Sequence, residues 1–371
     1  MDQRTLNCCL AAARLGVSAD NGQPWKFLWR DGRLRVMLDA PRAQSYFDCD
    51  RSLAHIGLGT VMENLAIASA HFGYSASIQV FPAGVSDNEP VAEISFTSGA
   101  PAGHPLYPAI QARATNRKPY RADNVPLGVQ ATLQRSVAGW PGKRLVLIEA
   151  AALRRQIARL TAQVELIRFD FTRPDVHRDF FQILRHTAAE ASASGDGLWV
   201  DCLEVDASQR TFLRLLRSQR LAEWCSRIGL GRLFGRQTIS LLKHTPLIAL
   251  AIGSGPWSAQ RREDFIDSGR FWQRFWLAAT EQGLSCQPMA TLPLFFGQHE
   301  HYGEKFVPRP ASRTIEKGRR EFNTEFKISP QEHLFMVFRV GYASPPSARS
   351  YRRPLEELCQ LEQESLVGNI S

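Results

Sequence analysis

A segment that occurs twice sets the strongest constraint on how this chain can fold. Ile56, Gly59, Ala68, Gly73 and Ser75 recur as Ile266, Gly269, Ala278, Gly283 and Ser285, at a constant offset of 210 residues without a gap. Self-similarity of this kind points to a repeated architecture. Each copy reads as one long helix closed by a glycine. Apolar residues fill most of its turns, so each helix belongs in an interior rather than on a surface. Gly73 and Gly283 stand where a chain leaves a helix through a left-handed residue. Gly59 and Gly269 would let another backbone approach closely near the helix start.

Strand-like pieces surround both copies. In the first half, 25–29 and 33–38 flank Asp31-Gly32, a strong hairpin signal, and 77–81 and 91–96 follow. In the second half the candidates are 144–148, the apolar run 246–252 and 333–340. Helical patterns cover 5–15, 152–169, 177–190 and 208–228. The mixture implies an α+β architecture in two tandem, degenerate halves, 1–104 and 105–371. Residues 150–245 have no counterpart in the first half. This helical, arginine-rich block is interrupted by Ser192–Gly197, a flexible loop by composition. It reads equally as a lid over a pocket or as a peripheral insertion.

The chain has 371 residues, room for two units or one intertwined one. It contains no run of about 18 uncharged apolar residues and opens without a signal peptide, so a cytoplasmic location with no membrane span and no membrane partner is expected. Seven cysteines without metal-like spacing imply reduced, mostly buried thiols. The net charge of +9 comes mainly from arginines, densest at 113–121, 209–236 and 349–353. No helix-turn-helix, zinc spacing or aromatic–basic RNA motif accompanies them, so nucleic acid is not the expected partner. A phosphate-bearing small molecule accounts better for the first and last clusters.

Three segments carry the chemistry: Val17-Ser-Ala-Asp-Asn21-Gly-Gln23-Pro24-Trp25, Arg113-Ala-Thr115-Asn-Arg117-Lys-Pro-Tyr120, and Arg339-Val-Gly341 with Arg349-Ser-Tyr-Arg352-Arg353-Pro354-Leu355. They resemble, in order, the A-P-S-x-x-N-x-Q-P-W segment, the R-x-S/T-x-R phosphate motif and the C-terminal R-x-P-L segment of the nitroreductase superfamily. The repeated helix is similar to that family's central helix, and Gly283–Met289 to its flavin-side loop. The resemblance spans nearly the whole chain outside 150–245.

It implies an FMN-binding oxidoreductase whose two halves form a single-chain pseudo-dimer, as in the fused, Acg-like branch. Family members are homodimers with FMN at the interface. Here the Ser18/Asn21 segment lies in the first half and both phosphate segments in the second, so one flavin per chain is implied. Arg113, Thr115 and Arg117, at i, i+2 and i+4, can converge on one anion, because guanidinium forks suit phosphate. Arg352 or Arg353 would complete the cage. Ser18, Asn21 and Gln23 would bond the polar rim of the isoalloxazine, unless Ser18 or Asp20 merely starts a helical turn. Val17 replaces the family's proline, and Asn21-Gly22 can adjust the backbone through positive φ. Pro288, Met289 and Ala290 would lie along the ring edge, with backbone N–H groups near the flavin N5.

The flavin N5 carries the chemistry, so no side-chain catalytic residue is expected. NADH or NADPH would act as transient reductant in a ping-pong cycle. The acceptor would be a nitro compound, a quinone or a biosynthetic intermediate. The alternatives are a flavin-dependent biosynthetic dehydrogenase, a flavin-sequestering protein with little turnover, and a structural module without flavin. A monomer or loose homodimer is expected. His299 and His301, on one side of an extended segment, lack a third metal ligand, so no metal is expected. His55 and His71 read as helix-end or packing residues, and Asp39, Asp48 and Asp50 as loop and cap residues.

Overall fold

The computed structural model describes residues 1–100, 103–229 and 232–361. Its N-terminal helix α1 (Gln3–Arg14) leads into β1 (Trp25–Arg30) and β2 (Arg33–Leu38). The Asp31-Gly32 turn is as expected: both residues have positive φ, 52° and 71°, and Arg30 pairs with Arg33 across it. Alternation along β2 buries Leu34, Val36 and Leu38. The first repeat copy is α2 (Ser52–His71), buried along most of its length. Gly73 leaves it with φ 83°. β3 (Tyr74–Val80) and β4 (Ala92–Ser98) then complete an antiparallel order β1-β2-β4-β3.

Helices α3 (Tyr107–Ala112) and α4 (Leu127–Ser136) precede β5 (Lys143–Ile148). The insertion follows as α5 (Ala151–Arg168), α6 (Pro174–Ile183), β6 (Leu184–Arg185), α7 (Ala188–Ser194), β7 (Leu198–Trp199), α8 (Ala207–Leu215), α9 (Gln219–Arg227) and α10 (Arg232–Lys243). Two expected helices are each broken in two. The 177–190 pattern stops at Ile183, because Leu184–Arg185 pairs with Leu198–Trp199 and a Thr187/Glu190 capping box starts a new helix. The 208–228 pattern is interrupted at Leu216–Ser218, where α8 ends and Ser218 precedes α9. Nor is Ser192–Gly197 a free loop. Its first half ends α7, and Asp196 is held by Arg42 and Arg185, each at 2.6 Å.

Beyond the insertion, β8 (Leu247–Ser254) is buried except at its last residue, as its apolar run requires. The second repeat copy α11 (Arg262–Glu281), β9 (Ser285–Pro288), α12 (Thr291–Tyr302), α13 (Arg309–Glu325) and β10 (Glu332–Gly341) follow. Sequence patterning did not anticipate α12 or α13. The second sheet runs β5-β8-β10-β9, again antiparallel throughout. It repeats the order of the first, with the repeat helix between the second and third strands to enter. The insertion falls between β5 and β8, where the first sheet has only the Asp31-Gly32 turn. The short α14 (Leu355–Leu358) and β11 (Cys359–Leu361) return the C-terminal segment to the first sheet, pairing parallel to β1.

The two repeat helices cross at their paired glycines. A Cβ on Gly59 would collide with the Ile266 carbonyl oxygen and lie 2.9 Å from the Gly269 Cα; one on Gly269 would collide with the Ile56 oxygen, 3.0 Å from the Gly59 Cα. One turn on, buried Glu63 pairs with Arg270 at 3.1 Å and with Arg274, while Gln273 donates to Asn64 at 2.8 Å. Two apolar clusters, one against each sheet, flank this crossing. No helix among the described residues is long and apolar enough to cross a membrane.

Candidate active site

The Val17–Trp25 segment crosses from α1 to β1 in a strained conformation. Asp20, Asn21 and Gln23 have φ of 49°, 57° and 51°, whereas Gly22, expected to share the adjustment, has −65°. Left-handed non-glycine residues cost roughly 1 kcal/mol or more each and persist only where the surroundings hold them. Here the holding is done by the side chains that the sequence singled out. Ser18 Oγ accepts the Gln23 N–H at 2.9 Å rather than capping a helix. Asn21 Nδ2 donates to the carbonyls of Gly197 (3.2 Å) and Tyr351 (3.0 Å). Gln23 Nε2 donates to the Gly195 carbonyl at 2.8 Å, and its Oε1 accepts the Arg353 N–H at 3.0 Å. Val17 donates its own N–H to Thr60 Oγ1 at 2.7 Å, a bond that a proline could not make.

Arg113, Thr115 and Arg117 run extended beside β9, with Thr115 bridged to Cys286. All three line one pocket of about 600 Å³ together with Arg349 and Arg352. No carboxylate lines it, and none of these four arginines forms an ion pair among the described residues. Asn116 points the other way, donating to Ser285 Oγ and the Ser344 carbonyl. Arg113 donates to the Leu15 carbonyl and lies 4.9 Å from the Trp276 ring centre, and its buried Nε has no partner. Burial, then Arg352 and Arg349, push its guanidinium down to about 9. Burial and Arg14 push Arg352 down to about 10, and burial lowers Arg117 as well. These cations are desolvated beside one another, and among the described residues none of them is ion-paired, although Asp20 offsets part of the effect at Arg117.

Of the two arginines left open by the sequence, Arg352 faces the pocket. It donates to Asn21 Oδ1 and to the Gly16 carbonyl at 3.2 Å. Arg353 turns away, buried against Asp39 (3.8 Å) and Glu357 (3.3 Å). Arg349, which joins the pocket, donates to the Gln111 and Ala112 carbonyls.

Pro288, Met289 and Ala290 join β9 to α12. Proline has no N–H, and that of Met289 is committed to the Val337 carbonyl at 2.7 Å, so the amides open to a ligand are that of Ala290 and the first ones of α12. Arg168, at the end of α5, donates to Thr291 Oγ1 at 3.0 Å and lies 3.7 Å from Asp20 Oδ1. It ties this loop to the strained segment, and nothing in the sequence marks it.

Ser18, Asp20, Gly22 and Pro24 line a second pocket of about 580 Å³ with Arg42, Asp48, Asp179 and Asp196. The two pockets share no lining residue. Asn21 stands at the seam, and the insertion lies along it. Three donors assigned to the cofactor are taken by carbonyls of one short stretch: Gln23 by Gly195, Asn21 by Gly197, and Arg117 by Cys202 at 2.9 Å.

The other candidates are structural. His299 and His301 lie in α12, not in an extended segment, so residues two apart point to different sides; His299 meets Ser312 at 2.8 Å. His55 meets the Arg51 carbonyl at 2.7 Å and His71 stacks on Tyr107 at 4.1 Å. Asp48 accepts the Leu53 and Ala54 N–H groups at the start of α2. All seven cysteines are free thiols, four of them buried.

No protein-family model matches the chain. The uncharacterized protein MT1398 of Mycobacterium tuberculosis is 26% identical over 358 residues, 95% of this chain and 47% of that protein. A protein of the same organism named as an NAD(P)H nitroreductase, Acg, is 32% identical over 108 residues, 28% of this chain and 32% of its own length. The chain is similar to a nitroreductase. It spans about half the length of the first relative and a third of the second. Among solved structures, the FMN-dependent nitroreductase NfnB of Mycobacterium smegmatis with NADPH is 18% identical, with 70% of this chain and 98% of that one covered and a TM-score of 0.40. Iodotyrosine deiodinase with FMN and 3-iodo-L-tyrosine is 17% identical, with 67% and 95% covered and a TM-score of 0.34.

Proposed function

We propose that this chain is an FMN-binding oxidoreductase of nitroreductase type, a single-chain pseudo-dimer of 1–104 and 105–371 with one flavin site between its halves. One observation carries the reading. Arg113, buried, and Arg352, half-buried, have no ion pair among the described residues and face a pocket with Thr115, Arg117 and Arg349; desolvating such charge is costly unless a ligand compensates it. A flavin phosphate carries close to two negative charges and accepts forked hydrogen bonds, so the donor set fits it. The name of one relative, the NAD(P)H nitroreductase Acg, agrees.

When bound, FMN would supply the hydride chemistry through its isoalloxazine. Arg113, Arg352 and Thr115 would hold its phosphate, and Arg117 and Arg349 would add positive charge. Asn21 and Gln23 would offer amides to the ring's polar rim, and the first amides of α12 would face its edge. NADH or NADPH as reductant, with a small nitro compound, quinone or biosynthetic intermediate as acceptor in a ping-pong cycle, completes the reading.

A second reading, a flavin-holding protein with little turnover, is favoured by the Gly195–Cys202 stretch. Its carbonyls occupy the very donors the ring would need, so it must move or close over the bound group. A yellow protein with flavin absorbance supports both readings, and a colourless one that takes up no added FMN rejects both. Anaerobic mixing with NADH or NADPH separates them: bleaching within seconds indicates turnover, and an unchanged spectrum indicates holding.

A further inference from the structure

The arginine cluster at 209–236 has no part in this site. Residues 207–243 hold eight Lys and Arg against one Glu, a net of +7 on a chain whose total is +9. The same stretch, a tenth of the chain, holds four of the eight large apolar side chains exposed among the described residues: Leu215 (55%), Trp224 (57%), Ile228 (53%) and Ile239 (39%). On α9 the two properties coincide. Arg220, Trp224, Arg227 and Ile228 recur at i, i+4, i+7 and i+8 and are all exposed, while Ala222 and Cys225 turn inward. Among the described residues, only Arg227 has an acidic partner on this helix, Glu223 at 2.5 Å.

We propose that the exposed face of α9 forms a docking surface for an anionic phospholipid bilayer, on which the chain lies peripherally without crossing it. Charge complementarity selects an anionic partner, and each Lys or Arg near such a surface adds about 1 kcal/mol of attraction. The apolar side chains select lipid over nucleic acid. A half-exposed tryptophan flanked by isoleucine and arginine matches the boundary between headgroups and acyl chains, where amphipathic cationic helices settle. A polyanion offers charge but no apolar layer for Trp224 or Ile228. This departs from the sequence expectation of no membrane partner, which rested on the lack of a spanning segment, because binding of this kind needs none.

Co-sedimentation of the full chain tests the proposal, using phosphatidylcholine vesicles alone and vesicles with about 30% phosphatidylglycerol at about 0.1 M salt. The expected result is binding to the anionic vesicles only. It should weaken roughly tenfold or more in R220E/R227E and severalfold in W224S, each checked for unchanged far-ultraviolet circular dichroism. Brominated lipid should quench tryptophan fluorescence in the parent chain and less in W224S. Equal or absent binding to both vesicles overturns the proposal. So does binding to a DNA duplex or heparin that matches the vesicles and ignores W224S, which assigns the surface to a polyanion.

Discussion

Arg352, one wall of the arginine pocket, donates to the side-chain carbonyl of Asn21, in the strained segment 331 residues away. The bond joins the two ends of the chain where the proposed phosphate and ring sites meet. It also gives the site a testable energetic signature, since a ligand must supply the negative charge that the pocket lacks.

Adding FMN at a hundredfold excess over its dissociation constant should stabilise the parent chain by about 2.7 kcal/mol. In R113M this gain should vanish. The stability of the ligand-free variant should stay within about 1 kcal/mol of the parent, because relief of a buried, unpaired cation offsets the lost bond to Leu15. Thermal melts with and without FMN decide the matter. Full flavin occupancy of R113M would show that the cage is misplaced.

The pH dependence of that gain follows from the same cations. A guanidinium lowered to about 9 or 10 is charged below those values, so the pocket keeps its positive charge at neutral pH. The folded state of the free chain binds these protons less tightly than the unfolded chain does. Its stability is therefore penalised below about 9 and recovers as pH rises toward the usual arginine range. Anion binding runs oppositely: it is strongest while the arginines are charged and the phosphate is dianionic, above about 6. Isothermal titration with FMN should give an affinity plateau from about pH 6 to 9 with a fall on both sides. A flat profile out to pH 11 would contradict the assignment.

At the helix crossing, Gly59→Ala and Gly269→Ala should each destabilise the fold by about 4 kcal/mol or more, since the new methyl meets backbone that cannot move aside. Gly128→Ala is the control. It lies in α4 with open space around its would-be Cβ, and should stabilise by up to about 1 kcal/mol. Urea denaturation of the three variants separates crowding from helix propensity.

Asp196→Ala should loosen the stretch that holds the proposed ring donors, by removing its bonds to Arg42 and Arg185. The expected outcome is severalfold faster dissociation of FMN and, under the holding reading, the appearance of reduction by NADH or NADPH. Stopped-flow absorbance measures both. Unchanged rates would mean that this stretch does not gate the site.

Much of this was legible because it depends on local pattern. The glycines that end α2 and α11, the Asp31-Gly32 hairpin, the apolar run of β8 and the extended spacing of Arg113–Arg117 all follow from backbone sterics and side-chain periodicity. The helix breaks in the insertion escaped notice because the apolar pattern continues across them; at 184–185 the break was made by strand pairing with 198–199. Positive φ fell on Asp20 and Gln23, not on Gly22, because tertiary hydrogen bonds imposed a conformation that local preference would have given to glycine.

The sequence alone determined which residue types were present to bind an anion, and that two similar units would share the chain. Which arginine turns inward was beyond it: Arg352 and Arg353 are neighbours, and only the position of Asp39 and Glu357 draws one of them away from the pocket. Arg168 and the carbonyls of Gly195, Gly197 and Cys202 were equally hidden. Backbone acceptors have no sequence signature, and a partner reached across a hundred residues is chosen by packing.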